Sequence, residues 1–100
     1  MIMTIEIKRT NELITMMLVG RLDTTTAPAL DKTLNENIED NASLVLDLKG
    51  LEYISSAGLR VLLGAQKRIG KMGSMKLINV AEAVMEVFEM TGFADILTIE

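Results

Sequence analysis

The chain has no cysteine and no histidine. That excludes disulfides, thiol nucleophiles, thiolate metal sites and imidazole acid–base chemistry. A serine nucleophile would need an activating base, and no lysine is placed beside one. No apolar run approaches the ~20 residues that cross a bilayer. The opening Met1-Ile2-Met3-Thr4-Ile5-Glu6-Ile7-Lys8 lacks a basic region followed by an apolar stretch, so it does not read as a signal peptide. Positive charge is also scarce: 10 Lys and Arg stand against 14 Asp and Glu, a formal net charge of −4. A general nucleic-acid binder would show the opposite balance. The one basic group, Lys67, Arg68, Lys71 and Lys76, has no interleaved aromatic residues for base stacking and reads as a solvated helix end. The stretch from Gly64 to Met72 fails as a phosphate-binding loop, with five residues between its glycines and Met72 where Ser or Thr is needed. These absences fit a soluble cytoplasmic protein. It is expected to have no enzymatic activity, to use no cofactor, metal, nucleic acid or membrane, and to be a monomer.

What is present is apolar side chain, 49% of 100 residues, enough for the core of one domain over residues 1–100. Residues 3–8 alternate as a half-buried strand, 9–12 form a polar turn, and 13–19 form a second strand, together a hairpin. Residues 20–26 read as a loop, with Thr26 as N-cap and Pro28 in the first turn of a helix that stops near Asp40-Asn41. Ala27, Leu30, Leu34 and Ile38 share its inner face. The third strand covers 44–48 and is followed by a loop over 49–56. A second helix starts at Ser56 or Ala57 and ends at Gly70, read as a left-handed cap. Leu59, Leu62, Leu63, Gln66 and Ile69 form its stripe. A fourth strand over 75–80, a helix over 81–90 ended by Gly92, and a short strand over 96–99 complete the chain. The order β-β-α-β-α-β-α-β implies an α/β fold with a mainly parallel mixed sheet, its first strand antiparallel. Function in such sheets gathers at the carboxyl ends of the strands. Residues 20–26, 49–56 and 79–81 lie there, which makes Asp23 and Ser56 neighbours.

The adjacent serines Ser55 and Ser56 stand where strand gives way to helix. One reading is an N-cap, worth about 1 kcal/mol. The other is phosphorylation, which adds about −1.5 to −2 charges at the positive helix end. The readings are compatible, one serine capping and the other modified. Ala57 and Gly58 leave room for close approach by a partner or a phosphate. Asp23 is either a turn residue or part of a partner-facing surface. Asp47 is read as structural. The eight methionines are read first as core filler.

Gly20-Arg21-Leu22-Asp23, Val45-Leu46-Asp47-Leu48, Tyr53-Ile54-Ser55-Ser56-Ala57-Gly58-Leu59-Arg60-Val61-Leu62 and Val87-Phe88-Glu89-Met90-Thr91-Gly92-Phe93 together resemble the STAS domains of anti-sigma factor antagonists. The resemblance implies a switch protein. Unphosphorylated, it binds an anti-sigma factor that is also a serine kinase; phosphorylation releases it, and a serine/threonine phosphatase restores it. Aligned on Gly58-Leu59, the modified serine is Ser56. Ser55 then replaces the family's usual aspartate, and Ala57 replaces a second hydroxyl residue. Arg60, one turn on, stands within reach of a phosphate at Ser56. Asp23, Thr24, Ser55, Ala57, Gly58 and Arg60 form the implied partner surface. The second reading is a non-phosphorylated STAS scaffold, or an accessory subunit of a transport ATPase or signalling assembly.

Overall fold

The computed structural model describes residues 3–11, 13–38, 43–70 and 73–100. The alternating amino-terminal stretch is β1 (Thr4–Thr10), which turns into β2 (Leu13–Leu22). Then follow α1 (Ala27–Asn37), β3 (Ser43–Ile54), α2 (Ser56–Ile69), β4 (Ser74–Ile78), α3 (Glu82–Thr91) and a 3-10 turn at Phe93–Asp95. The strands form one sheet in the order β1-β2-β3-β4. β1 is antiparallel to β2, while β2, β3 and β4 run parallel.

Both crossovers step the same way across the sheet, so right-handedness puts α1 and α2 on one face. Ile14, Met16, Leu18 and Leu22 of β2 meet Leu30 and Leu34 of α1, Leu59, Leu62 and Ile69 of α2, and Val84 and Phe88 of α3 in a single core. Leu63 and Gln66, expected on the α2 stripe, are half-buried at its margin. The other face of β2, with Thr15, Met17, Val19 and Arg21, lies outside that core. No helix among the described residues is long and apolar enough to cross a membrane.

The sheet is longer than its hydrophobic alternation implies. β2 continues through Gly20, Arg21 and Leu22, and β3 continues from Lys49 to Ile54, where loops are expected. The register gives the reason. Met17 pairs with Asp47 but Val19 with Gly50; Gly20 pairs with Leu51 but Arg21 with Tyr53. At each of these steps β3 takes one extra residue, a bulge. Its core positions therefore run Leu44, Leu46, Leu48 at spacing two, then Leu51 and Ile54 at spacing three. A search for period two loses the strand after Leu48. Gly20, at the second bulge, has a φ of 113°, which side chains with a Cβ rarely adopt. Across the first bulge Asp47 Oδ1 accepts from Lys49 N at 3.0 Å, and it also accepts from Asn79 Nδ2 at 3.2 Å.

Two helix ends differ from expectation. The Thr26 hydroxyl does not cap α1; it donates to Arg21 O at 2.7 Å and accepts from Asp23 N at 2.9 Å. α1 is described to Asn37, and the expected stop at Asp40-Asn41 lies outside the described residues. Gly70 is right-handed (φ −56°), because its N–H still bonds to Gln66 O at 3.0 Å and the helical turn carries through it. Gly92 does take the left-handed form, φ 81°. The expected last strand shrinks to one parallel bridge between Leu77 and Ile99, since the amides of Ile96 and Leu97 bond back to Phe93 O and continue the turn at 93–95.

Candidate functional site

β2 and β3 end level. Leu22 pairs with Ile54, and Ser55 N donates to Leu22 O at 2.9 Å. The two segments leaving the sheet here, one beginning at Asp23 and one at Ser55, thus start from bonded neighbours. β4 stops at Ile78, opposite Asp47. The 79–81 junction therefore sits lower, beside Asp47, and not at the edge shared by the other two segments. β3 outruns β4 because its bulged half pairs only with β2.

The Asp23 turn folds back on its own first residue. Asp23 Oδ1 accepts from Thr25 N at 3.0 Å and Thr26 N at 3.1 Å, while Asp23 O accepts from Ala27 N at 2.8 Å. An aspartate that takes backbone amides two and three residues on does the work of a cap. Its Oδ2 lies 3.9 Å from Arg21 Nε. The Thr26 N–H, foremost, holds the Asp23 carboxyl below the usual carboxylate range. The Thr25 N–H, the Thr26 hydroxyl and the Arg21 guanidinium act the same way, against an opposing desolvation. Thr24 is exposed at the tip.

Arg21 sits directly across from Tyr53, its guanidinium carbon 4.2 Å from the ring centroid. Tyr53 is 40% exposed, so the pair forms an open platform on the sheet face beside the turn. Sequence patterning does not place these residues together, because their pairing depends on the second bulge. An arginine and a tyrosine within the two candidate loops are the available signal.

At the start of α2 the two serines part company. Ser55 is the N-cap (φ −98°, ψ 174°); its Oγ accepts from Gly58 N at 3.4 Å and its carbonyl accepts from Leu59 N at 2.9 Å. Ser56 is the first helical residue and is exposed. The amides of Ser56 and Ala57 belong to the first turn, where no intrahelical acceptor exists, and they give that end a positive potential. Ala57 is half-buried. The expectation that Gly58 leaves room for a partner does not hold. Gly58 is buried, and a Cβ there would lie 2.6 Å from Leu22 Cγ and 3.0 Å from Ile54 Cγ1. The close approach is to the chain's own strands. Arg60 is exposed four residues after Ser56, one turn along the helix. The fold thus brings Asp23, Thr24, Ser55 and Ser56 to one edge, with Ala57 and Arg60 beside them and Gly58 beneath.

Two residues of the basic group make local pairs. Arg68 bonds to Asn35 and lies 3.6 Å from Asp31, and Lys76 lies 3.4 Å from Glu100. Lys71 is outside the described residues.

The family model for the STAS domain matches residues 4–100. The chain belongs to the STAS-domain family. This STAS domain is 34% identical over 96 residues to the anti-sigma-B factor antagonist of Bacillus subtilis, covering 95% of this chain and 88% of that protein. It is 32% identical over 100 residues to the anti-sigma-B factor antagonist of Listeria monocytogenes, covering 97% of this chain and 88% of that one. Among solved structures, an anti-sigma factor antagonist from Mycobacterium paratuberculosis matches with a TM-score of 0.87 at 23% identity, over 97% of this chain and 84% of that chain. SpoIIAA of Bacillus in its phosphorylated form matches with a TM-score of 0.74 at 19% identity, over 97% and 91%. These structural matches establish a shared α/β fold. The curated relatives are named anti-sigma factor antagonists.

Proposed function

We propose that this STAS domain is a cytoplasmic anti-sigma factor antagonist and a phosphoswitch at Ser56, with no catalytic activity of its own. Unphosphorylated, one copy docks on an anti-sigma factor that is also a serine kinase, through Asp23, Thr24, Ser55, Ser56, Ala57 and Arg60. Phosphorylation of Ser56 by that kinase ends the complex, and a serine/threonine phosphatase resets it. One observation carries this reading: the Ser55 hydroxyl is engaged as the cap while Ser56 stands exposed at the first helical position. SpoIIAA, which shares the fold, is known in unphosphorylated and phosphorylated forms.

The physics favours an interface switch over a folding switch. A phosphate on Ser56 meets free amides, the positive helix end and Arg60, so the domain itself tolerates it. Inside a packed interface the same dianion must be desolvated or face like charge. A loss of about 3–4 kcal/mol weakens a complex by about 10²–10³-fold. Ser55 in place of the usual aspartate keeps the cap and removes one negative charge from the kinase-facing surface.

The test pairs calorimetric binding to the partner kinase with site mapping by mass spectrometry after incubation with ATP. Wild type and Ser56→Ala are expected to bind alike, Ser56→Asp to bind at least about 100-fold more weakly, and the phosphate to map to Ser56. A Ser56→Asp variant that binds as tightly as wild type sinks the switch. Binding without any phosphate transfer leaves the scaffold reading in its place.

A further inference from the structure

β1 is the sheet's edge. Among the described residues no strand pairs with its outer side, whereas β4 is partly closed by bonds from Leu77 N to Thr98 O and from Glu100 N to Leu77 O. The pairing with β2 fixes the faces of β1. Ile5, Ile7 and Arg9 share the helix side with Leu18, Met16 and Ile14; Thr4, Glu6, Lys8 and Thr10 share the open side with Val19, Met17, Thr15 and Leu13. Ile7 is 40% exposed although it lies on the core side, and Glu6 and Lys8 are both exposed.

Charges on an edge strand ordinarily blunt it against pairing. Here their order singles out one self-pairing. Two copies related by a two-fold axis through the sheet pair antiparallel, and matching faces restrict the centre to a residue position. Centred on Ile7, Glu6 opposes Lys8 of the second copy twice, Ile7 opposes its own copy, Thr4 opposes Thr10, and Ile5 opposes Arg9. Centred one residue earlier, two Glu6 carboxylates meet; one residue later, two Lys8 ammoniums meet. Opposite charges directly across a ladder stabilise it and like charges destabilise it.

We propose that β1 is a homodimerisation edge, where a second copy adds its β1 antiparallel, centred on Ile7, to make one continuous sheet. A strand pair of seven residues buries less than the ~1,200 Å² of a standard interface, so the dimer is weak, forming at about 100 µM. The two Ser56 sites then lie at opposite edges of the joined sheet and both remain open. The surface stands apart from the Ser56 reading, and either can fail without the other.

Sedimentation equilibrium from about 10 µM to 1 mM at ~50 mM salt, where surface charge is weakly screened, tests it. Wild type is expected to dimerise. Glu6→Lys and Lys8→Glu, each placing like charges opposite one another twice, are expected to weaken the dimer about tenfold or more. The double variant Glu6→Lys/Lys8→Glu restores both opposite-charge pairs and is expected within about threefold of wild type. Circular dichroism confirms that each variant is folded. A wild type that stays monomeric at the highest concentration overturns the proposal. So do single variants that dimerise like wild type, or a double variant as weak as the singles.

Discussion

Alanine at Gly58 and alanine at Gly64 are expected to move stability in opposite directions, although both glycines lie in α2. Intrinsic helix propensity favours each change by about 0.5–1 kcal/mol. At Gly64 nothing lies within 4 Å of the added Cβ, so that gain is realised in full. At Gly58 the Cβ meets Leu22 Cγ at 2.6 Å and both Leu22 Cδ2 and Ile54 Cγ1 at 3.0 Å. Cγ is the branch point of its side chain, and Leu22 and Ile54 are 0% and 3% exposed. Neither can swing aside, so the helix start must lift from the sheet. Overpacking of this kind costs about 1–3 kcal/mol. After the propensity gain the net loss is about 1 kcal/mol at mid-range and about 2.5 at most, a fall in Tm of roughly 4–8 °C per kcal/mol in a domain of this size. Urea unfolding of both variants, with m-values compared to confirm unchanged two-state behaviour, gives the two signs directly. In a Leu22→Ala background, which removes Cγ and Cδ2, the Gly58→Ala cost should drop by about 1 kcal/mol, because the two sites share one space. If Gly58→Ala stabilised the protein as Gly64→Ala does, the seating of α2 on Leu22 and Ile54 would be wrong.

Two further outcomes follow from the caps. Ser55→Ala is expected to cost about 0.5–1 kcal/mol, at the low end of capping values because the bond to Gly58 N is long, 3.4 Å. Ser55→Asp should retain that stability, since a carboxylate both caps and complements the helix end; thermal unfolding of the pair decides, and an unaffected Ala variant would remove Ser55 from the cap. The Asp23 carboxyl titrates below its ordinary value when folded, so its stabilising contribution is present above about pH 4, the unfolded value, and is lost as pH falls through the folded one. Asp23→Asn keeps an acceptor oxygen but no titration. Its Tm should therefore fall less steeply than that of wild type as pH drops below about 4, and parallel profiles would contradict the turn geometry.

The helices were legible because their inner faces repeat without interruption: Leu30 and Leu34 in α1, Leu59, Leu62 and Ile69 in α2, Val84 and Phe88 in α3. The first halves of β2 and β3 were legible for the same reason at period two. Their second halves were not, because a bulge changes the spacing of buried residues from two to three and no local pattern announces it. The sequence places the α1 start correctly but offers Thr26 as its cap, whereas Asp23 takes the amides. Both residue types cap helices, and only the bond from Thr26 Oγ1 to Arg21 O turns the threonine away. The choice between Ser55 and Ser56 had the same character. It rests on the anchoring of Ser55 N to Leu22 O, a contact between strands far apart in the chain. Gly58 reads as partner-facing in the sequence for want of that same information.

The two bulges of β3 make it a measuring length. Counted from Asp47, the strand needs both extra residues to bring Ile54 opposite Leu22 and Ser55 into the capping position. With one residue fewer between Asp47 and Ser55, the residue reaching the cap would be Ser56, and Ala57 would occupy the exposed first helical position. No hydroxyl would remain there to modify, and Leu59 would move into the place of Gly58, where even a Cβ lies 2.6 Å from Leu22 Cγ. The stretch from Lys49 to Tyr53, polar enough to pass for a loop, is thus intolerant of insertion and deletion. Its length, and not any side chain within it, decides which serine closes the helix and which faces outward.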